Sequence, residues 1–288
     1  MKPVHLLLAA IMIVIWGVNF VVGKIGVAEI PPILLMTMRF TLIALILCPL
    51  VKLPRTHIRH YLILSVLMGS VHFACMFTAL RDINASLAAV LAQLGVPFAS
   101  ILAAIILKDR LGWRRALGMA LAFGGIFLLA GEPQVHGDLV PILLIAVAAF
   151  AWALGVVYIK RQPQLDGHQL NAWTSALAAP QLLIATIVFE SGQWNALQNA
   201  SWQGWFAAAY MAIFVTIVGY AIWYFLVRRY DVNQTMPLTL LSNVFGILSG
   251  VVLLGETMSW QMVIGTVLAV IGVGIIVVRR PKLAPPEV

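Results

Sequence analysis

Asn84–Ala130, NASLAAVLAQLGVPFASILAAIILKDRLGWRRALGMALAFGGIFLLA, is written twice in this chain. Moved forward by 147 positions it falls on Asp231–Val277. Leu107 then meets Leu254, Trp113 meets Trp260, Gly118 meets Gly265, Leu121 meets Leu268, Ala122 meets Ala269 and Gly125 meets Gly272. Upstream, Arg81, Leu91, Leu94 and Phe98 meet Arg228, Leu238, Leu241 and Phe245. Each copy is an apolar segment, a short break carrying an acid (Asp109, Glu256), and a glycine-studded apolar segment. The front halves echo at a shift of 136, which places Ala10, Trp16, Val21 and Lys24 on Ala146, Trp152, Val157 and Lys160. One structural unit therefore occurs twice.

The solvent of that unit follows from composition. Apolar residues make up 62% of the chain and charged residues 10%, against about 25% charged in soluble domains. Too little polar surface exists to cover such a chain in water, so lipid is its solvent. A net charge of +8 raises the question of nucleic acid, but Lys and Arg sit in short breaks rather than on one face, and no nucleic-acid partner is expected. Cys48 and Cys75 both lie within apolar segments and read as small hydrophobes, not as a disulfide framework.

Windows near the ~20 residues needed to span a bilayer occur at about 4–23, 32–51, 61–80, 85–107, 112–130, 139–159, 169–189, 204–227, 234–254 and 259–278. The expected fold is an all-α membrane protein with ten transmembrane helices in two five-helix repeats, at 1–131 and 138–280, and a cytoplasmic tail at 281–288. The first window is long, contains Asn19 and lacks a small-x-small cleavage site, so it reads as an uncleaved helix. With the N-terminus in the cytoplasm, fifteen basic residues fall inside: Lys2, Lys52, Arg55, Arg59, Lys108, Arg110, Arg114, Arg115, Lys160, Arg161, Arg228, Arg229, Arg279, Arg280 and Lys282. Only Lys24 and Arg81 fall outside. That bias predicts both termini in the cytoplasm. An odd number of helices per repeat then inverts the second repeat, the arrangement of alternating-access carriers.

The two shifts differ by eleven residues, an insertion assigned to the polar link Ser191–Gln203. Trp194, Trp202 and Trp205 suit the outer lipid interface there; a substrate lid is the alternative. Within the windows lie polar groups whose cost in lipid directs them inward: Asn19, Arg39, His72, Gln93 and Asn243. Helical spacing sorts them into stripes. Trp16 shares a face with Asn19, and Ser65, Gly69, His72 and Met76 share another. Ser86, Gln93 and Ser100 repeat at seven. Thr216, Gly219, Tyr220 and Trp223 line one face, and Thr235, Thr239, Ser242, Gly246 and Ser249 another. Pro97 cannot donate to the carbonyl of Gln93, nor Pro180 to that of Ala176. Each polar residue has a plainer reading too. Asn, Ser and Thr bond neighbouring helices, Arg39 can brace a helix end, and His72 can be packed. Gly246-x-x-x-Gly250 and the glycines of the fifth and tenth segments read as close-packing faces, which leave a homodimer open.

Several chemistries drop out. Gly17 to Gly23-Lys24 mimics a phosphate loop but has five intervening residues and no following Ser or Thr. All ten acids fall in or beside breaks, which sets aside an intramembrane aspartyl enzyme and weakens a carboxylate proton relay. Ser70 and His72 lie too close on one helix for serine catalysis. His57 and His60 have metal-like spacing but sit among Arg55 and Arg59, a face for anionic headgroups. No enzyme, metal or cofactor is expected, and His72 is the central group that titrates near neutrality.

Ile15-Trp-Gly-Val-Asn-Phe-Val-Val-Gly-Lys24, Pro31-Pro32 and Met38-Arg39-Phe40 resemble the opening of EamA-type transporters of the drug/metabolite transporter superfamily. Thr216-Ile-Val-Gly-Tyr-Ala-Ile-Trp223, Pro237-Leu-Thr-Leu-Leu241 and Leu254-Gly-Glu256 are similar to the second repeat of that family. The resemblance covers nearly the whole chain. It implies ten helices in two inverted repeats, a bacterial inner-membrane carrier, and export of amino acids, metabolites or drugs, here of cysteine- and O-acetylserine-like molecules. The chain departs from the pattern at Lys108-Asp109-Arg110, where the family often has Gly-Glu-Arg. The expected substrate site lies among the first, third, fourth, sixth, eighth and ninth helices. Trp16, Trp152, Tyr220 and Trp223 form its walls, Asn19, His72, Gln93 and Asn243 its hydrogen-bonding groups, and Arg39 its carboxylate partner. A broad-specificity efflux carrier and a non-transporting membrane scaffold are the alternatives.

Overall fold

A computed structural model describes residues 2–52, 57–108, 112–129, 139–162, 165, 167–227, 229–230 and 232–277. Every regular element in them is helical. In chain order these are α1 (Pro3–Glu29), α2 (Pro32–Leu47), α3 (Ile58–Asp82), α4 (Ala85–Ile106), α5 (Trp113–Leu129), α6 (Val140–Lys160), α7 (Gly167–Phe189), the short α8 (Gln193–Asn199), α9 (Trp202–Leu226), α10 (Val232–Leu254) and α11 (Trp260–Val277). Among the described residues seven are long and apolar enough to cross a membrane: α1, α2 with its 3-10 extension to Leu50, α3, α4, α6, α7 and α9. In α10 and α11 the apolar runs among the described residues cover Leu241–Leu254 and Trp260–Ile276. The assigned insertion folds as α8 and the start of α9, with Trp194 and Trp202 each 72% exposed.

Contacts between helices are exchanged between the two halves of the chain. α1 packs on α9 and α10, while α6 packs on α3 and α4. α2 lies along α7, and α5 along α11. Glycine permits the last pairing. A Cβ added at Gly118 would come 2.7 Å from the carbonyl oxygen of Gly272, and one at Gly125 would come 2.5 Å from that of Gly265. Gly118 and Gly265 are repeat equivalents, as are Gly125 and Gly272, so the same crossing is made twice. Backbones this close leave no room for side chains, the way small residues draw helices together in lipid.

Two of the described helices carry a π segment, and at equivalent places. Ser65–Val71 in α3 and Met211–Val218 in α9 are π-helical. The His72 N–H bonds Leu67 and the Gly219 N–H bonds Phe214, each five residues back. Adding 147 to the first pair gives the second. The periodicity predicts continuous helices here; the extra residue per turn carries no hydrophobic signature and emerges only in the folded chain.

The acids that the sequence places in breaks have a structural task. Glu190, after α7, accepts from the Ile33 N–H at 2.8 Å and the Leu34 N–H at 3.0 Å in the first turn of α2. Glu256, after α10, accepts from the Ala85 N–H at 2.7 Å, the Ser86 N–H at 2.9 Å and the Ser86 hydroxyl at the start of α4. Glu29, ending α1, accepts from the Ser201 N–H and hydroxyl before α9. Each carboxylate meets unpaired N–H groups at the positive end of a helix dipole in the other repeat. At the same end of the bundle Lys24 donates from Nζ to the carbonyls of Leu80, Arg81 and Ile83, at 2.8–2.9 Å, where α3 stops.

Candidate functional site

A cavity of about 200 Å³ lies between α1, α3, α4 and α6. Asn19 and Phe20 come from α1; His72, Phe73, Met76, Phe77 and Leu80 from α3; Ala92 and Gly95 from α4; Ala149 and Trp152 from α6. The α3 residues all lie beyond its π segment and recur at three- and four-residue spacing, so one helix face supplies five of the eleven lining residues. Phe and Trp rings make the walls, and the polar groups are Asn19 and His72. The Oδ1 of Asn19 is buried and unpartnered. His72 Nδ1 lies 2.9 Å from the Ala148 carbonyl. A carbonyl only accepts, so the ring carries a proton on Nδ1 and Nε2 is left to accept in the neutral tautomer. Trp152 packs on the imidazole at 5.0 Å and Phe73 at 4.7 Å. None of the lining residues is an acid.

Of the nine residues read from sequence as site candidates, Asn19, His72 and Trp152 line this cavity together. Trp16, Tyr220 and Trp223 form a second aromatic group across the bundle, with ring centroids 5.4 Å and 5.9 Å from Trp16. The Trp16 indole donates to the Val215 carbonyl at 3.1 Å. Trp16 and Trp152 are repeat equivalents, yet Trp152 lines this cavity and Trp16 does not. The difference lies in the residue that follows each π segment. His72 stands beside Trp152, whereas its equivalent, Gly219, has no side chain and the Trp16 indole fills the space, its Cδ1 3.1 Å from where a Cβ would be.

Arg39, at the middle of α2, is 3% exposed and is not among the lining residues. Its Nη2 donates to Thr216 Oγ1 at 3.0 Å, and its guanidinium lies over the Phe73 ring at 4.5 Å. Nε and Nη1 have no partner. Phe73 thus has the cavity beside it and Arg39 against its face. Gln93, in a 3-10 turn of α4 (Ala92–Leu94), is 2% exposed, and both atoms of its amide lack a partner. Asn243 is half-buried on α10. The other striped hydroxyls serve their own helices or a neighbour. Ser86 meets Glu256, Ser100 bonds Val96, and Ser249 bonds Gly246. The side chains of Thr235, Thr239 and Pro237, and all of Asp109 and Arg110, lie outside the described residues. His60 pairs through Nδ1 with the Tyr158 hydroxyl at 2.7 Å. Among the described residues no group of three or more His, Cys, Asp or Glu side chains could hold a metal.

At the end where the three glutamates cap helices, a second hollow of about 580 Å³ sits beside α8, bordered by Glu29, Arg81, Glu190, Asn195 and Asn199. Sequence reasoning missed both the carboxylate caps and Lys24, since nothing local marks a residue that serves a helix end 56 to 172 positions away. The conjunction Leu254-Gly-Glu256 was the nearest signal.

An all-helical bundle of apolar spans around a small polar-and-aromatic cavity defines a multi-pass membrane protein built to handle small solutes. A sequence profile described as the EamA-like transporter family matches residues 4–131 and 139–278, and the chain belongs to that family. It is 31% identical over 275 residues to a "Probable amino-acid metabolite efflux pump" of Salmonella typhimurium, covering 92% of each chain. The protein of the same description in Escherichia coli is 30% identical over 278 residues, again with 92% of each covered. An "Uncharacterized transporter" of Bacillus subtilis, YoaV, is 22% identical over 90% of this chain and 91% of its own. A solved crystal structure aligns with a TM-score of 0.62 over 96% of both chains at 18% identity, a likeness of fold. Family and relatives are transporters, not enzymes.

Proposed function

We propose that this protein is a secondary transporter of the bacterial inner membrane that exports small amino acids or related metabolites, cysteine- and O-acetylserine-like, by alternating access. The observation that carries the reading is the cavity: aromatic walls, an unpartnered Asn19 carbonyl oxygen, His72 Nε2 free of protein bonds, and no acid. At about 200 Å³ it is smaller than the ~300–1,000 Å³ of drug-sized sites. A zwitterion's ammonium group finds acceptors in Asn19 and His72. Its carboxylate has the buried Arg39 within reach of a movement of Phe73. A lipophilic cation would find no counter-charge among the lining residues, which disfavours broad drug efflux. The descriptions of the two ~30% identical relatives as amino-acid metabolite efflux pumps support the substrate class. Trp16, Tyr220, Trp223, Gln93 and Asn243 are assigned to the opposite side of the pathway, engaged when the bundle faces the other way.

In this reading ten helices cross the membrane as inverted repeats 1–131 and 138–280. Both termini and the 281–288 tail lie in the cytoplasm, on the fifteen-to-two distribution of basic residues. The glutamate-capped end then faces outward. Purified protein in liposomes tests the proposal through uptake and release of labelled cysteine, with and without a pH gradient. Saturable flux that His72→Ala and Asn19→Ala reduce at least tenfold, against a dye that does not compete, is the expected result. Flux inhibited by lipophilic dyes but not by amino acids would replace the substrate class, and no solute flux at all would favour a scaffold.

A further inference from the structure

We infer that Gln181 is a positioning residue for transport: it holds the π turn of α3, and so the lining face of the cavity, as Arg39 holds the π turn of α9. The inference rests on the transporter class and not on the choice of substrate. Gln181 lies on α7 beside Pro180 and outside the cavity. Its Oε1 accepts from Ser70 Oγ at 2.6 Å, and its Nε2 donates to Ser65 Oγ at 2.8 Å. Ser65 and Ser70 are five residues apart. An α-helix would set them about 140° apart around the axis, beyond the span of one amide. A π turn brings them to one face. One side chain can therefore bond both hydroxyls only while the segment is π-helical. The backbones are close enough to keep that register, since a Cβ on Gly69 would stand 2.6 Å from the Ala178 Cβ.

The other repeat has its own version. Thr216 donates from Oγ1 to the Met211 carbonyl at 3.0 Å, again five residues back, and accepts from Arg39 Nη2 at 3.0 Å. Each π turn is thus held by a polar side chain from the second helix of the opposite repeat, Gln181 of α7 or Arg39 of α2. The helical stretch beyond each turn is a wall of the pathway: His72 to Leu80 after the first, Gly219 to Trp223 after the second. Removing the extra residue from a turn rotates everything beyond it by about 100°. Relaxation of Ser65–Val71 to α geometry would carry His72, Phe73 and Met76 off the cavity. Phe73 lies over Arg39 as well, so the two turns meet at one side chain. Gln181 and Arg39 are the catches that keep both walls turned to one side until a bundle movement releases them.

The test uses the full chain in lipid nanodiscs and in liposomes. Gln181→Met keeps the length and removes both hydrogen bonds. Amides of residues 65–71 should exchange about tenfold faster with deuterium, the scale of two lost buried bonds, with α5 and α11 unchanged. Ser65→Ala with Ser70→Ala should match that effect, and Gln181→Met on top should add nothing. Arg39→Met should do the same to residues 211–218. In liposomes the maximal rate of Gln181→Met for labelled cysteine should fall about tenfold with KM within twofold. Unaltered exchange at 65–71, exchange accelerated throughout the bundle, or a raised KM at normal maximal rate would each overturn the role. Should wild-type protein move no cysteine, the substrate proposal fails while the exchange result still decides this one.

Discussion

Lys108 shows how a repeat exposes a single misfit residue. It sits after α4 with φ of 54°, and its equivalent after α10, Gly255, has φ of 66°. The repeat demands a left-handed residue at this corner twice, and glycine meets that demand once. A side chain in this region costs about 1 kcal/mol. Lys108→Gly should therefore stabilise the protein by up to about 1 kcal/mol, less the greater freedom glycine gives the unfolded chain. Lys108→Val should destabilise it by more than that gain; chemical unfolding in detergent measures both. His72 and Gly219 make the complementary point. One repeat carries a ring where the other carries nothing, so similar halves line the bundle differently at equivalent places.

At the scale of elements, the α5–α11 pair is held by glycine contacts on backbone rather than on flexible side chains. Gly125→Ala should cost about 1–3 kcal/mol, because the new Cβ meets the Gly265 carbonyl and the Ala269 N–H, at 2.5 Å and 2.8 Å, and neither can turn aside. Gly124→Ala is the control. Nothing lies within 4 Å of its Cβ position, and thermal stability in the same detergent should be unchanged or slightly higher. The π turns are the opposite kind of element, regular structure kept away from its resting geometry by neighbours.

Across the whole molecule, the two repeats are tied at one end by carboxylates set on helix starts. Glu256→Ala would strand the N–H groups of Ala85 and Ser86 and remove a charge from the α4 dipole. A loss of about 2–3 kcal/mol is expected. Glu256→Gln, which can still accept, should lose less. If thermal unfolding shows the two variants alike, the charge contributes nothing.

Membrane class, all-helical architecture and repetition were legible in the chain because each depends on composition and period, which are local properties. The twofold copy of Asn84–Ala130 and the inward polar residues came from the same rules, and Asn19, His72 and Trp152 did converge on one cavity. Distance in sequence hid the rest. Glu256 serves Ala85, Lys24 closes α3, and Gln181 joins Ser65 to Ser70, all through contacts between segments more than 50 residues apart. A π turn adds a residue without altering composition, and the side to which Phe73 and Arg39 are turned depends on that addition. Residue type decided which groups could not face lipid; only packing of one repeat against the other decided which of them face each other.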